Sequence, residues 1–123
     1  MLFIRRERDP GKGKLGLPGG FVDVGESGEE AARREVEEEL GLQIGELTYV
    51  MSHPNTYAFG GVVYQLVDFF YTATVADFEG VQSCASEVGE WFIARPDTMR
   101  GEDFAFVSNW RAVEAYAKRT SPV

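Results

Sequence analysis

The chain has 123 residues, 44% of them hydrophobic, with a formal net charge of −8 and one cysteine. That length supports a single domain with a real core, so residues 1–123 are read as one unit. The acidic balance argues against nucleic-acid and anionic-membrane partners, which attract basic faces, and no run is long enough to span a bilayer.

In chain order, residues 2–6 read as a strand and residues 9–14 as a turn with Pro, Gly and Lys. The opening segment is too short for the apolar core of a signal peptide. Leu17-Pro18-Gly19-Gly20 makes a rigid turn ending in two residues without Cβ, and residues 21–24 are expected as a short second strand. A helix over 27–40 follows, its start fixed by the Ser27/Glu30 capping-box pair and its end by Gly41. Further strands are expected over 46–52, over 62–75 (long and well buried, from its apolar alternation) and over 90–94. Residues 96–99 start a short turn. Residues 108–118 form a closing helix with Trp110, Val113 and Ala117 on one face. The lone Cys84 cannot form an internal disulfide and reads as a small buried hydrophobe, which fits a reducing cytoplasmic setting. His53 is the only histidine, which excludes a zinc site built from a His/Cys cluster.

The central helix carries the chemistry. With Glu35 as zero and 100° per residue, Glu38 sits at about −60° and Glu39 at about +40°, so three carboxylates share an arc of roughly 100°. Such neighbours repel, and residues 26–46 contain no lysine to intersperse them. A cluster of hard oxygen donors favours Mg²⁺ or Mn²⁺. Ala32, Val36 and Leu40 form an apolar stripe centred about 100° away, so the helix is expected to bury that side and present its carboxylates beside it. Ala31, inside the carboxylate arc, would leave room for a ligand.

Gly20, Glu26, Arg34, Glu35, Val36, Glu38, Glu39, Gly41 and Leu42 fill every fixed position of the pattern G-x5-E-x7-R-E-U-x-E-E-x-G-U, with U apolar. The chain therefore resembles the Nudix family. The resemblance implies an α/β fold, an α/β/α sandwich with a mixed β-sheet between helices, here without the family's usual first strand. It implies hydrolysis of the diphosphate in a nucleoside diphosphate linked to a further group. The metal ligands would be Glu35, Glu38 and Glu39 with the Gly19 carbonyl. Glu38 or Glu35 would double as general base, and Glu87 and Glu90 are alternatives from a later loop. Arg34 and Glu26 match box positions that pair and orient the helix. The metal would neutralise the diphosphate and acidify the attacking water.

The partner implied is a nucleotide-derived small molecule, with ADP-ribose favoured over NADH, other dinucleotides and nucleoside triphosphates. Ser52, Pro54 and Tyr57 partly match the Ser-Gln-Pro array of NADH pyrophosphatases. Tyr57, Phe59 and Phe106 are candidates to stack on a base, against the alternative that they are core. Arg5 and Arg6 are candidates to meet phosphate, against the alternative of a solvated strand end. Many Nudix proteins are homodimers, and some are non-catalytic sensors. The full set of box glutamates favours an enzyme.

Overall fold

The computed structural model describes residues 1–82 and 88–120; Cys84 and Glu87 lie outside them. Five strands and two helices follow in the order β1 (Leu2–Arg6), β2 (Leu15–Gly16), α1 (Gly28–Leu40), β3 (Leu47–Phe59), β4 (Val62–Ala73), β5 (Val88–Ile93) and α2 (Val107–Thr120). Strand β1 lies between β2 and β5, antiparallel to both, and β3 pairs with β4 in a separate antiparallel hairpin. The parallel pairing among the described residues is the bridge Leu15–Phe104.

The alternation of β1 explains the layering. Phe3 packs with Leu15, Phe104 and the α2 residue Val113. Its neighbour Ile4 points the other way, onto Leu40 of α1, Leu42 and Val88. In β5, Phe92 joins the first cluster and Trp91 the second. One small sheet thus separates two helices, the α/β arrangement expected. Phe3, Leu40, Val88 and Val113 are each less than 2% exposed, and burying a side chain of this kind contributes about 1.5–3 kcal/mol.

Helix α1 starts and stops where its sequence signals lie. Ser27 Oγ accepts from the Glu30 N–H while Glu30 accepts from the Ser27 N–H. Gly41 closes the helix at φ 65°, a left-handed conformation that glycine adopts without steric cost.

Four expectations need correction. Residues 21–24 form no strand: the Phe21 carbonyl accepts from Arg34, and Asp23 and Glu26 close a turn on each other. Strand β3 runs to Phe59, well past residue 52, because Gly60 and Gly61, at φ 59° and 79°, supply a two-residue hairpin turn. Pro54 fits within it because β3 is an edge strand. Strand β4 is not well buried: Val63, Val67 and Phe69 are 57–61% exposed, because β4 pairs with β3 alone in a two-stranded sheet. Ala31 is covered rather than open to a ligand, and Glu39 is buried beside Leu40. Helix α1 is therefore turned so that part of its carboxylate arc faces inward. Among the described residues no helix is long and apolar enough to cross a membrane.

Candidate active site around the glutamate helix

The turn before α1 closes directly onto its carboxylates. An ideal Cβ on Gly20 would lie 2.5–2.7 Å from all three carboxyl atoms of Glu35, so the absence of a side chain there is what lets Glu35 occupy this space. The Gly19 N–H donates to Glu39 Oε2 at 3.3 Å, and Glu39 is only 5% exposed. Upstream, the Leu17 N–H donates to Asn109 Oδ1 at 3.0 Å. Asn109 Nδ2 donates to Ser108 Oγ, and Ser108 Oγ donates to Asp68 Oδ2 at 2.7 Å. The turn is thus tied to α2 and, through Asp68, to β4. Asn109, Ser108 and Asp68 carry no motif signal, and sequence reasoning missed them.

Arg34 sits among the remaining acids. Nε and Nη2 hold Glu26 in a fork at 2.7 and 2.9 Å, and Nη2 also reaches the Phe21 carbonyl at 3.1 Å. Nη1 donates to Glu35 Oε1 at 2.9 Å and to Glu38 Oε2 at 3.1 Å, and Asp23 Oδ2 lies 3.5 Å from Nη2. The Arg34 hydrogen bonds, helped by the Asp23 N–H, lower the Glu26 pKa to about 2. The Glu26 bond, followed by Glu35, raises that of Arg34. Burial raises the Tyr71 hydroxyl, with the nearby Glu29 charge adding to it.

Glu35, Glu39 and the Gly19-Gly20 turn are therefore together, while Glu38 is reached through Arg34 and remains 59% exposed in its side chain. The oxygen-only donor set, with Glu35 brought onto the turn by the missing Cβ of Gly20, fits a hard divalent ion such as Mg²⁺ or Mn²⁺. Among the described residues, no three Asp, Glu, His or Cys side chains are already grouped to hold one, and Glu35 and Glu38 are both engaged by Arg34 Nη1.

The substrate candidates divide into two sets. Tyr57 meets Phe21 edge-on at 5.4 Å between ring centres, Phe106 at 5.8 Å and Phe59 at 6.5 Å. The Arg6 guanidinium lies 5.0 Å over the Phe106 ring, and its Nε donates to the Pro10 carbonyl. A row from Arg6 through Phe106 and Tyr57 thus ends at Phe21, the residue after the Gly-Gly turn. Sequence reasoning missed Phe21, although its position beside Gly20 was a usable signal. Arg5 stands apart: it donates to Glu90 at 2.7 Å and to the Gly13 carbonyl at 2.8 Å. It lines a cleft of about 280 Å³ together with Lys12, Glu7 and Glu90.

The glycine turn thus closes on one edge of an acidic helix, where Glu39 is buried and Glu35 nearly so. The NUDIX domain profile matches residues 1–115, and the chain belongs to the Nudix family. It is 45% identical over 65 residues to an ADP-ribose pyrophosphatase of Methanocaldococcus jannaschii, a match covering 51% of this chain and 38% of that protein. It is 35% identical over 77 residues to the NAD-capped RNA hydrolase NudC of Pasteurella multocida, covering 59% of this chain and 26% of that one. The match thus spans well under half the length of either relative. Among solved structures, the MutT Nudix hydrolase of Burkholderia pseudomallei superposes with a TM-score of 0.77 at 29% identity, covering 93% of this chain and 85% of that one.

Proposed function

We infer that this protein is a Nudix pyrophosphohydrolase. It cleaves the diphosphate of a nucleoside diphosphate joined to a second group, with ADP-ribose as the favoured substrate. The observation that carries this reading is the convergence of Glu35 and Glu39 on the Gly19-Gly20 turn, with Glu38 alongside. The ADP-ribose preference draws on the name of the archaeal relative. Glu35, Glu38, Glu39 and the Gly19 carbonyl would hold a divalent ion, which would supply charge neutralisation at the diphosphate and a more acidic water.

The chain's own groups do the rest. Glu38, the most exposed of the three ligands, reaches water and serves as general base; the attacking oxygen forms a new P–O bond as the bridging P–O bond breaks. Glu39 is held by the Gly19 N–H at the turn, so this carboxylate is already in place when the ion binds. Tyr57, Phe59 and Phe21 offer stacking faces to the base, and Arg6 offers charge to a phosphate. Arg5 and Lys12 line a cleft with room for a further anionic group.

The test is phosphate release from ADP-ribose, NADH, a diadenosine polyphosphate and 8-oxo-dGTP, with Mg²⁺, Mn²⁺ or EDTA and alkaline phosphatase to reveal monophosphate products. Metal-dependent release that is fastest from ADP-ribose is expected. Turnover of NADH alone would move the assignment to dinucleotides, and binding without turnover would make the protein a sensor. Glu38→Gln should lower turnover by several orders of magnitude, and near-normal hydrolysis would remove Glu38 from its role.

A further inference from the structure

Two of the three glutamates assigned above to the metal are held by an internal cation. The Arg34 guanidinium has two working edges. Nε and Nη2 grip both oxygens of Glu26, whereas Nη1 alone spans Glu35 Oε1 and Glu38 Oε2. Glu39, the third, is held separately by the Gly19 N–H. Four carboxylates stand within reach of this turn of helix, and like charges at such spacing repel. In the metal-free protein, Nη1 offsets that repulsion at the two ligands Glu39 does not share.

A divalent ion and Nη1 compete for the same carboxylates. Two cations bridged by one carboxylate group repel each other at short range, most strongly where water is partly excluded; the Glu35 side chain is only 14% exposed. Glu26 is placed to resolve the conflict. Its fork with Nε and Nη2 does not involve the ligands, so the guanidinium can withdraw Nη1 and stay anchored.

We propose that Arg34 is a built-in counter-ion that holds Glu35 and Glu38 until a divalent metal displaces Nη1, with Glu26 as the anchor that retains the displaced guanidinium. This rests on the metal assignment made under the proposed function. Arg34 is then a positioning residue whose grip opposes metal entry, not a support that favours it.

The test is calorimetric titration with MnCl₂ of wild-type protein and of Arg34→Lys, together with a crystal structure of the Mn²⁺-bound wild type. Lysine keeps the charge but gathers its three donors on one nitrogen, so when that nitrogen engages Glu26 there is no separate edge, such as Nη1, to span Glu35 and Glu38. Arg34→Lys is expected to bind Mn²⁺ about three- to tenfold more tightly than wild type, the release of two modest ion pairs. In the Mn²⁺-bound structure, Nη1 should have left Glu35 and Glu38 while Nε still donates to Glu26. Mn²⁺ affinity of Arg34→Lys equal to or weaker than wild type overturns the proposal, because a supporting or merely electrostatic role gives that result. Should the variant not fold, the bound structure decides: Nη1 still bonded to both glutamates overturns it. Absence of any Mn²⁺ binding by the wild type overturns the metal assignment itself, and this proposal with it.

Discussion

Gly20→Ala separates the site's chemistry from its stability. The new Cβ would stand 2.5, 2.5 and 2.7 Å from the three carboxyl atoms of Glu35, where ordinary contact begins at 3.4 Å. The carboxylate must therefore retreat by about 1 Å, and a displacement of that size in a catalytic group costs about 10²-fold in rate. The backbone tolerates the change, since Gly20 is not among the positive-φ glycines. Restricting the unfolded chain contributes about 0.4–1 kcal/mol in favour of folding. The melting temperature is thus expected to stay within about 5 °C of wild type. Metal-dependent hydrolysis of ADP-ribose should fall about 10²-fold. Both are read on one preparation, by thermal denaturation in EDTA and by phosphate release with saturating Mg²⁺. Wild-type turnover would refute the reasoning, because Glu35 could then move freely without consequence. Loss of a cooperative melt would refute it differently, by making the Gly20 space a requirement of folding.

Leu40→Ala empties a fully buried position between α1 and β1 and should cost about 2–5 kcal/mol in urea unfolding, with the spread set by how far the core collapses. Glu26 has its folded pKa lowered from 4.5 to about 2. Its contribution to stability is therefore fully present above pH 4.5 and is lost as pH falls from there toward 2. In EDTA, Glu26→Gln should lose stability less steeply than wild type across that window, and parallel profiles would contradict the Arg34 attribution. Tyr57→Leu removes the centre of the aromatic row and should raise KM for ADP-ribose about three- to tenfold with kcat nearly unchanged, the worth of one aromatic stacking contact. An unchanged KM would return Tyr57 to a packing role.

The features legible in the sequence are those that depend on near neighbours. Ser27 and Glu30 lie within one turn of each other, and Gly41 needs only its own backbone freedom, so both ends of α1 could be placed in advance. Strand β1 could likewise be placed in advance, and strand geometry then puts its neighbours Phe3 and Ile4 in opposite layers. The spacing of Glu35, Glu38 and Glu39 fixed which carboxylates share a face of the helix. It did not fix what that face would meet. Helical periodicity pointed to Ala32, Val36 and Leu40 as the covered stripe, and Leu40 and Val36 do pack into the core, but Ala31 and Glu39 are buried as well. A carboxylate can be buried there because the Gly19 N–H comes to Glu39 and the missing Cβ of Gly20 admits Glu35, compensations supplied from outside the helix.

The same distinction runs through the rest of the site. The sequence alone determined the donors, their spacing and the helix that carries them, because hydrogen-bonding periodicity and capping act over a few residues. Only the tertiary structure decided that Asn109 holds the Leu17 N–H from 92 positions away, and that Arg6, Phe106, Tyr57 and Phe21 form one row. Those partners are set by where β1, β3 and α2 come to rest when the two faces of the sheet are covered, and no local pattern encodes that placement.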